Sequence, residues 1–293
     1  MRLEKCELCP RRCGVDRTRG QLGFCGAGGV IRIARAAPHF WEEPCISGTR
    51  GSGTVFFSHC TLGCVYCQNG EISHGGAGRE VTPERLRKIY GELIGKGCHN
   101  INLVTPTHYL PLILPTLQDL PVPVVMNCGG YERAETIEEL EGRIQIYLPD
   151  FKYAVPETAE TYSAARDYPE RALEAIGEMI RQTGAPRFDG EGMLRSGVII
   201  RHMILPNEVR NSLRVLELLA SAFPKESFLL SLMSQYTPAW GAREIRRISR
   251  RITPSEYGRV LRKMEELGFE NGYTQELSSA KEEYVPPFDG TGV

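Results

Sequence analysis

GSGTVFFSHCTLGCVYCQNGEIS, residues 51–73, runs an apolar strand-like segment straight into three cysteines, Cys60, Cys64 and Cys67. Val55, Phe56 and Phe57 favour a pleated strand, and Gly63 marks a turn inside the cysteine loop. Five more short apolar runs follow: INLVT (101–105), VPVVMN (122–127), IQIYLPD (144–150), GVIIRHMI (197–204) and SFLLSLM (227–233). Helical stretches separate them. Thr82-Pro83-Glu84 opens the first, with Thr as N-cap and Pro at the first helical position. Others are expected over 109–117, 136–140, 157–166, 169–182 and 208–222. Thr253-Pro-Ser-Glu256 is a capping box that opens a last helix to Leu267. Strands that alternate with helices in this way predict an α/β chain of βα units around a parallel sheet. No GxGxxG follows the first strand, which argues against an open dinucleotide-binding sheet. The expectation is a barrel or partial barrel of βα units over residues 51–270. A Cys-rich irregular segment (1–50) precedes it, and a tail (271–293) packs on it.

A barrel of this kind carries its site at the C-terminal strand ends. His59-Cys60, Thr105-Pro-Thr-His108, Asn127-Cys128-Gly-Gly and Asp150-Phe-Lys152 follow the first four strands; Arg201-His202 lies in the fifth, and Gln235-Tyr236 follows the sixth. Three thiolates in C-x3-C-x2-C spacing suit one face of an iron–sulfur cube and leave its fourth iron open to a small molecule. The other reading is a zinc site completed by His59 or His74.

Composition narrows the classes further. The chain has 293 residues, 41% hydrophobic and 24% charged, and a net charge of −1. Those proportions are ordinary for a globular protein with a real core. Near-neutrality removes any global pull toward nucleic acid or anionic lipid, so neither nucleic acid nor a membrane is expected as a partner. No apolar stretch reaches the ~18 residues of a membrane helix. The start has no apolar h-region, so a cytoplasmic location is expected. All ten cysteines lie at or before Cys128. That bunching fits metal or cluster ligation in a reducing compartment better than a disulfide framework. Cys6, Cys9, Cys13 and Cys25 are four within twenty residues, the number for a closed site, with zinc and iron–sulfur both open on spacing. Arg243, Arg246, Arg247, Arg250 and Arg251 are expected on a helix with a solvated basic face.

The sequence resembles the radical S-adenosylmethionine (SAM) enzymes, and within them the branch related to pyruvate formate-lyase activating enzyme. The resemblance rests on CELCPRRCGVDR (6–17), GFCG (23–26), residues 51–73, NINLVTPTHY (100–109), VVMNCGGYE (124–132) and YLPDFKYA (147–154). His59 departs from the family, which commonly carries Gly there. The resemblance implies a partial (β/α)6 TIM-like barrel, a [4Fe-4S] cluster on Cys60, Cys64 and Cys67 with SAM on its open iron, and an oxygen-sensitive enzyme. It implies one-electron cleavage of SAM to a 5′-deoxyadenosyl radical that abstracts a hydrogen atom. The implied partners are an electron donor such as flavodoxin or ferredoxin and a glycyl-radical enzyme whose glycine is the target. The alternatives are another peptide or small-molecule substrate, or a non-catalytic zinc- or cluster-stabilised binding protein.

Residue by residue, Tyr66 sits where the family's loop aromatic meets adenine. Thr105 and Thr107 occupy the segment that meets the SAM amino group. Asn127 lies near ribose and carboxylate, and Asp150 and Lys152 match an Asp-x-Lys strand end. Arg201, His202 and Gln235 carry over on strand position alone. The residue types suit the ligand: Lys152 or Arg201 for its carboxylate, Asp150 for its ammonium, Asn127 for its hydroxyls.

Overall fold

The computed structural model describes residues 1–277 and 285–293. Among the described residues ten strands form one sheet: β1 (Ile31–His39), β2 (Ser52–Phe57), β3 (Arg79–Val81), β4 (Ile101–Val104), β5 (Val124–Cys128), β6 (Ile146–Pro149), β7 (Arg187–Phe188), β8 (Leu194–Met203), β9 (Leu229–Met233) and β10 (Gly272–Thr274). The order is β10-β9-β8-β6-β5-β4-β2-β1-β3, with β7 paired to β8. Every pair from β2 to β10 along that path is parallel, whereas β1 and β3 run antiparallel at one edge. The six expected strands are β2, β4, β5, β6, β8 and β9, adjacent in sequence order. The chain thus folds as an α/β partial barrel.

Period-2 alternation sorts each strand into two faces. Leu103, Met126, Tyr147, Ile200 and Leu230 face the outer helices and belong to the main core with Leu86, Ile176 and Leu216. Val125, Ile146, Leu148, Ile199 and Leu229 face the lumen. The expected capping devices are present. The Thr82 side chain accepts from Arg85 N–H at the head of helix Pro83–Gly95, and Thr253 and Glu256 form a reciprocal box on helix Pro254–Glu266.

Three expectations change. Residues 1–50 are not irregular throughout. IRIARAAPH forms the nine-residue β1, whose interrupted burial pattern hid it from alternation, and helix Pro44–Ser47 inserts Cys45 and Ile46 among the lumen residues. The tail adds a seventh parallel strand, β10, too short and polar to announce itself. Beyond it, Ala36 N–H donates to Thr291 O (2.8 Å) and Gly290 N–H to Ala34 O (3.0 Å), which ties the C-terminus to β1. The arginine run is a 3₁₀ turn, Trp240–Glu244, followed by coil rather than a helix. Arg247 and Arg250 instead reach across to Glu208 (3.0 Å) and Glu256 (2.8 Å). Tyr284, in the expected tail, lies outside the described residues.

Candidate functional site

A cavity of about 470 Å³ occupies the lumen at the C-terminal strand ends. Cys60, Cys64 and Cys67 line it, together with Tyr66, Thr105, Asn127, Asp150, Lys152, Arg201 and Gln235. Seven of the nine residues expected to bind the cofactor are thereby brought together with the three thiols. Thr107 and His202 do not line it. Thr107 is buried beside Glu132. His202 shares the outward face of β8 with Val198 and Ile200, and its Nδ1 bonds Phe151 O (2.7 Å). Its neighbour Arg201 shares the inward face with Ile199, so a single step along the strand separates the two.

The cysteine loop is shaped locally. Gly63 adopts φ +77°, a left-handed turn that glycine takes without penalty. Each sulfur has a hydrogen-bond donor: Leu62 N–H to Cys60 Sγ (3.4 Å), Ser163 Oγ to Cys64 Sγ (3.0 Å) and Ser73 Oγ to Cys67 Sγ (3.2 Å). Tyr153 Oη lies 2.7 Å from both Tyr66 Oη and Ser163 Oγ, which links the loop aromatic to Cys64. Burial pushes the Cys60 thiol up to about 11, with neighbouring Cys64 adding to the rise. The thiols therefore hold their protons until a metal displaces them. Among the described residues no group of three or more His, Cys, Asp or Glu is drawn together tightly enough to hold a single ion. Neither histidine completes a zinc site. His74 Nε2 bonds Cys64 O (2.9 Å) and its ring stacks on Trp240. His59 adopts φ +73°, and its ring turns away toward Gly26 and Gly76. Three cavity-facing thiols, each with a donor to its sulfur, fit an iron–sulfur cluster with one open iron.

Beneath the thiols lies a charged layer. Asp150 accepts from Lys152 Nζ (2.5 Å) and Arg201 Nε (3.0 Å). Burial pushes the Asp150 carboxyl up, but the two cations outweigh it and hold it below its usual range. Burial works against the Lys152 ammonium; Asp150 more than offsets that and raises it. Arg201 also donates to Asn127 Oδ1 (2.6 Å) and pairs with Glu42 (3.2 Å). Glu42 accepts in addition from Asn127 Nδ2 (3.1 Å) and Asn102 Nδ2 (3.3 Å). Gly130, at φ +78°, lets the chain after β5 pass Asp150; a Cβ there would sit 2.0 Å from Asp150 O.

Sequence reasoning missed Glu42 and Glu43, which line the same cavity just before helix Pro44–Ser47. They lie outside any βα unit. The available signal was Pro44 after two acids, a helix start, which says nothing about where that helix docks. Cys128 also lines the cavity, buried, its thiol pushed well up by burial.

A family model described as the Radical SAM superfamily matches residues 54–277. The uncharacterized protein MJ0674 of Methanocaldococcus jannaschii is 28% identical over 270 residues, an alignment covering 88% of this chain and 73% of that protein. Among solved structures, Streptococcus suis SuiB bound to precursor peptide SuiA is similar with TM-score 0.54 and 13% identity, over 76% of this chain and 48% of that one. SuiB bound to S-adenosylmethionine gives 0.53 and 12%, over 77% and 50%. The chain spans about half the length of those structures, and at such identities the likeness shows the fold alone.

Proposed function

Because this chain belongs to the radical SAM superfamily, we propose that Cys60, Cys64 and Cys67 hold its [4Fe-4S] cluster and that the charged layer below them binds SAM. With both bound, the site would supply one-electron cleavage of SAM and, from it, a radical able to abstract a hydrogen atom from substrate. The protein's part is placement and exclusion of water. Lys152 and Arg201 meet the SAM carboxylate, and Asp150 its ammonium. Asn127, held by Arg201 and Glu42, presents its amide to the ribose hydroxyls. Tyr66 and Gln235 border the adenine and the cavity mouth. The donors from Leu62, Ser163 and Ser73 offset negative charge on the three sulfurs.

The observation that carries this reading is the convergence of three hydrogen-bonded thiols and the Asp150-Lys152-Arg201 layer on one cavity. Within the superfamily, we place the chain in the branch related to pyruvate formate-lyase activating enzyme. Support comes from the Asp150-x-Lys152 strand end with both side chains facing the lumen. The substrate in this reading is a backbone glycine of a partner glycyl-radical enzyme, and the electron comes from a flavodoxin or ferredoxin. Anaerobically reconstituted protein tests it. SAM should change the electron paramagnetic resonance (EPR) spectrum of the reduced cluster and yield 5′-deoxyadenosine. A glycyl-radical signal should then appear on a co-incubated partner. Absence of the partner signal alongside SAM cleavage would remove the subtype and leave the superfamily chemistry standing.

A further inference from the structure

The four cysteines ahead of the sheet are not used by that chemistry, and the structure brings them together. Cys6, Cys9, Cys13 and Cys25 all line one small enclosed cavity, with Leu8, Val15 and Phe24 as apolar walls. The loops that carry them close on themselves: Cys6 N–H donates to Val15 O (2.9 Å) and Gly14 N–H to Cys6 O (2.9 Å). They are also fastened to the barrel, by Arg133 Nη1 on Glu7 O (2.6 Å) and Thr136 Oγ1 on Leu8 O (2.9 Å). Two arginines border the site. Arg17 is fully buried, bonds Gly28 O and His108 O, and approaches Cys6 Sγ at 3.9 Å. Arg11 stacks over Phe24 at 3.7 Å. Phe24 N–H donates to Cys13 Sγ (3.3 Å). Four thiols around one space, a donor to sulfur and two neighbouring cations would stabilise an anionic tetrathiolate centre and give nothing to an empty pocket.

We propose that Cys6, Cys9, Cys13 and Cys25 bind a second, fully ligated [4Fe-4S] cluster. A zinc ion draws its thiolates to about 2.3 Å from the metal, a tight cage. Arg17 approaching Cys6 Sγ and the Phe24 N–H donor to Cys13 Sγ, groups that stabilise negative charge borne on sulfur, favour the cube. With four thiolates and no open iron, this centre binds no small molecule; its chemistry is one-electron storage. Its place gives that storage a use. Thr61 lines this cavity while Cys60 and Leu62 line the main one, so a single turn of backbone separates the two sites. Arg11 spans them, donating to Thr61 O (3.2 Å) and Leu62 O (3.0 Å). His59 reaches from the Cys60 loop to the Cys25 backbone. One electron from a reduced ferredoxin- or flavodoxin-type donor enters the second cluster, and the same electron leaves for the three-cysteine site; nothing else is consumed. The relay rests on the function proposed above, whereas the metal site does not.

The test uses the full chain with Cys60, Cys64 and Cys67 all replaced by Ala, reconstituted without oxygen. About four iron and four sulfide per chain should remain, with a reduced-cluster EPR signal that SAM does not perturb. About one zinc with no iron would overturn the cube, and neither metal would overturn the site. The complementary variant, Cys9→Ser, should lose half of the wild-type iron while its remaining signal still responds to SAM. Full iron in Cys9→Ser would also overturn the proposal. Loss of the SAM response in wild type, with iron at Cys6–Cys25 intact, would instead sink the function proposed for the main cavity.

Discussion

Replacing Glu42 by Ala should damage the protein well beyond the loss of one side chain. Glu42 accepts three hydrogen bonds, from Asn102, Asn127 and Arg201, at 3.1 to 3.3 Å, and its side chain is 9% exposed. All three of these partners are donors. Without Glu42, Arg201 loses one of its carboxylate partners and keeps Asp150 and Asn127, with Glu43 nearby, while two buried amides lose their acceptor. Removing one partner of a buried charged network costs about 3–5 kcal/mol. At ~2–4 °C per kcal/mol for a chain of this size, the melting temperature should fall by roughly 6–20 °C. Glu42→Gln keeps the shape but turns an amide donor toward donors, so it should fall between wild type and Ala. SAM affinity should drop in both, because Asn127 and Arg201 lose a shared anchor. Thermal unfolding followed by near-UV circular dichroism reads the first effect, and calorimetric SAM titration of the reconstituted protein the second. A shift below about 2 °C for the Ala variant, with unchanged SAM affinity, would refute the idea that Glu42 organises this layer.

Asp150→Asn should weaken SAM binding on the order of ten- to hundredfold, the worth of a charged hydrogen bond, while secondary structure is kept; unchanged titration removes Asp150 from the site. Ser163→Ala deletes the donor to Cys64 Sγ and should make the cluster's midpoint potential more negative, because hydrogen bonds to sulfur favour the reduced state; a potentiometric titration identical to wild type contradicts that. His202 is lowered to about 4 by burial, only partly opposed by its bond to Phe151 O. Its folded pKa lies below the unfolded one, so stability is full above pH 6.5 and is lost as pH falls toward 4, by up to ~3 kcal/mol. Melting curves of wild type and His202→Gln should diverge in that window, the wild type having the steeper slope; parallel curves would show that His202 does not titrate this way.

Much of the fold was legible because it is repetitive. Six apolar runs separated by helical stretches specify parallel βα units. Thr82-Pro83 and Thr253-Pro-Ser-Glu256 place helix starts through local hydrogen bonds that need no tertiary information. The cysteine loop was legible for the same reason, since three thiols within eight residues converge whatever surrounds them. Of the seven expected cofactor residues that line the cavity, Thr105, Asn127, Asp150, Lys152, Arg201 and Gln235 lie in or after strands at the end where such a barrel meets its ligand, and Tyr66 followed from the resemblance alone. The outward placement of His202 was readable in principle. Val198, Ile200 and His202 share one face of β8 while Ile199 and Arg201 share the other, so alternation assigns only Arg201 to the lumen. Thr107 escaped similar reasoning because it follows the strand in a 3₁₀ turn, where period 2 no longer applies.

Local order along the chain carries chemistry confined to one loop or one strand: the three-thiolate motif, the strand-end charges and the two Thr-Pro helix starts. Only tertiary structure decided the rest. Glu42 and Glu43 reach the cavity because helix Pro44–Ser47 packs Cys45 and Ile46 against Val125, Ile146 and Ile199. That docking is fixed by the shape and apolar lining of the closed lumen, and no local pattern encodes it. Cys25 joins Cys6, Cys9 and Cys13 because Arg17, buried against Gly28 and His108, folds the intervening loop back. A cysteine's neighbours in sequence fix its spacing; which cavity it faces depends on the barrel that packs beneath it.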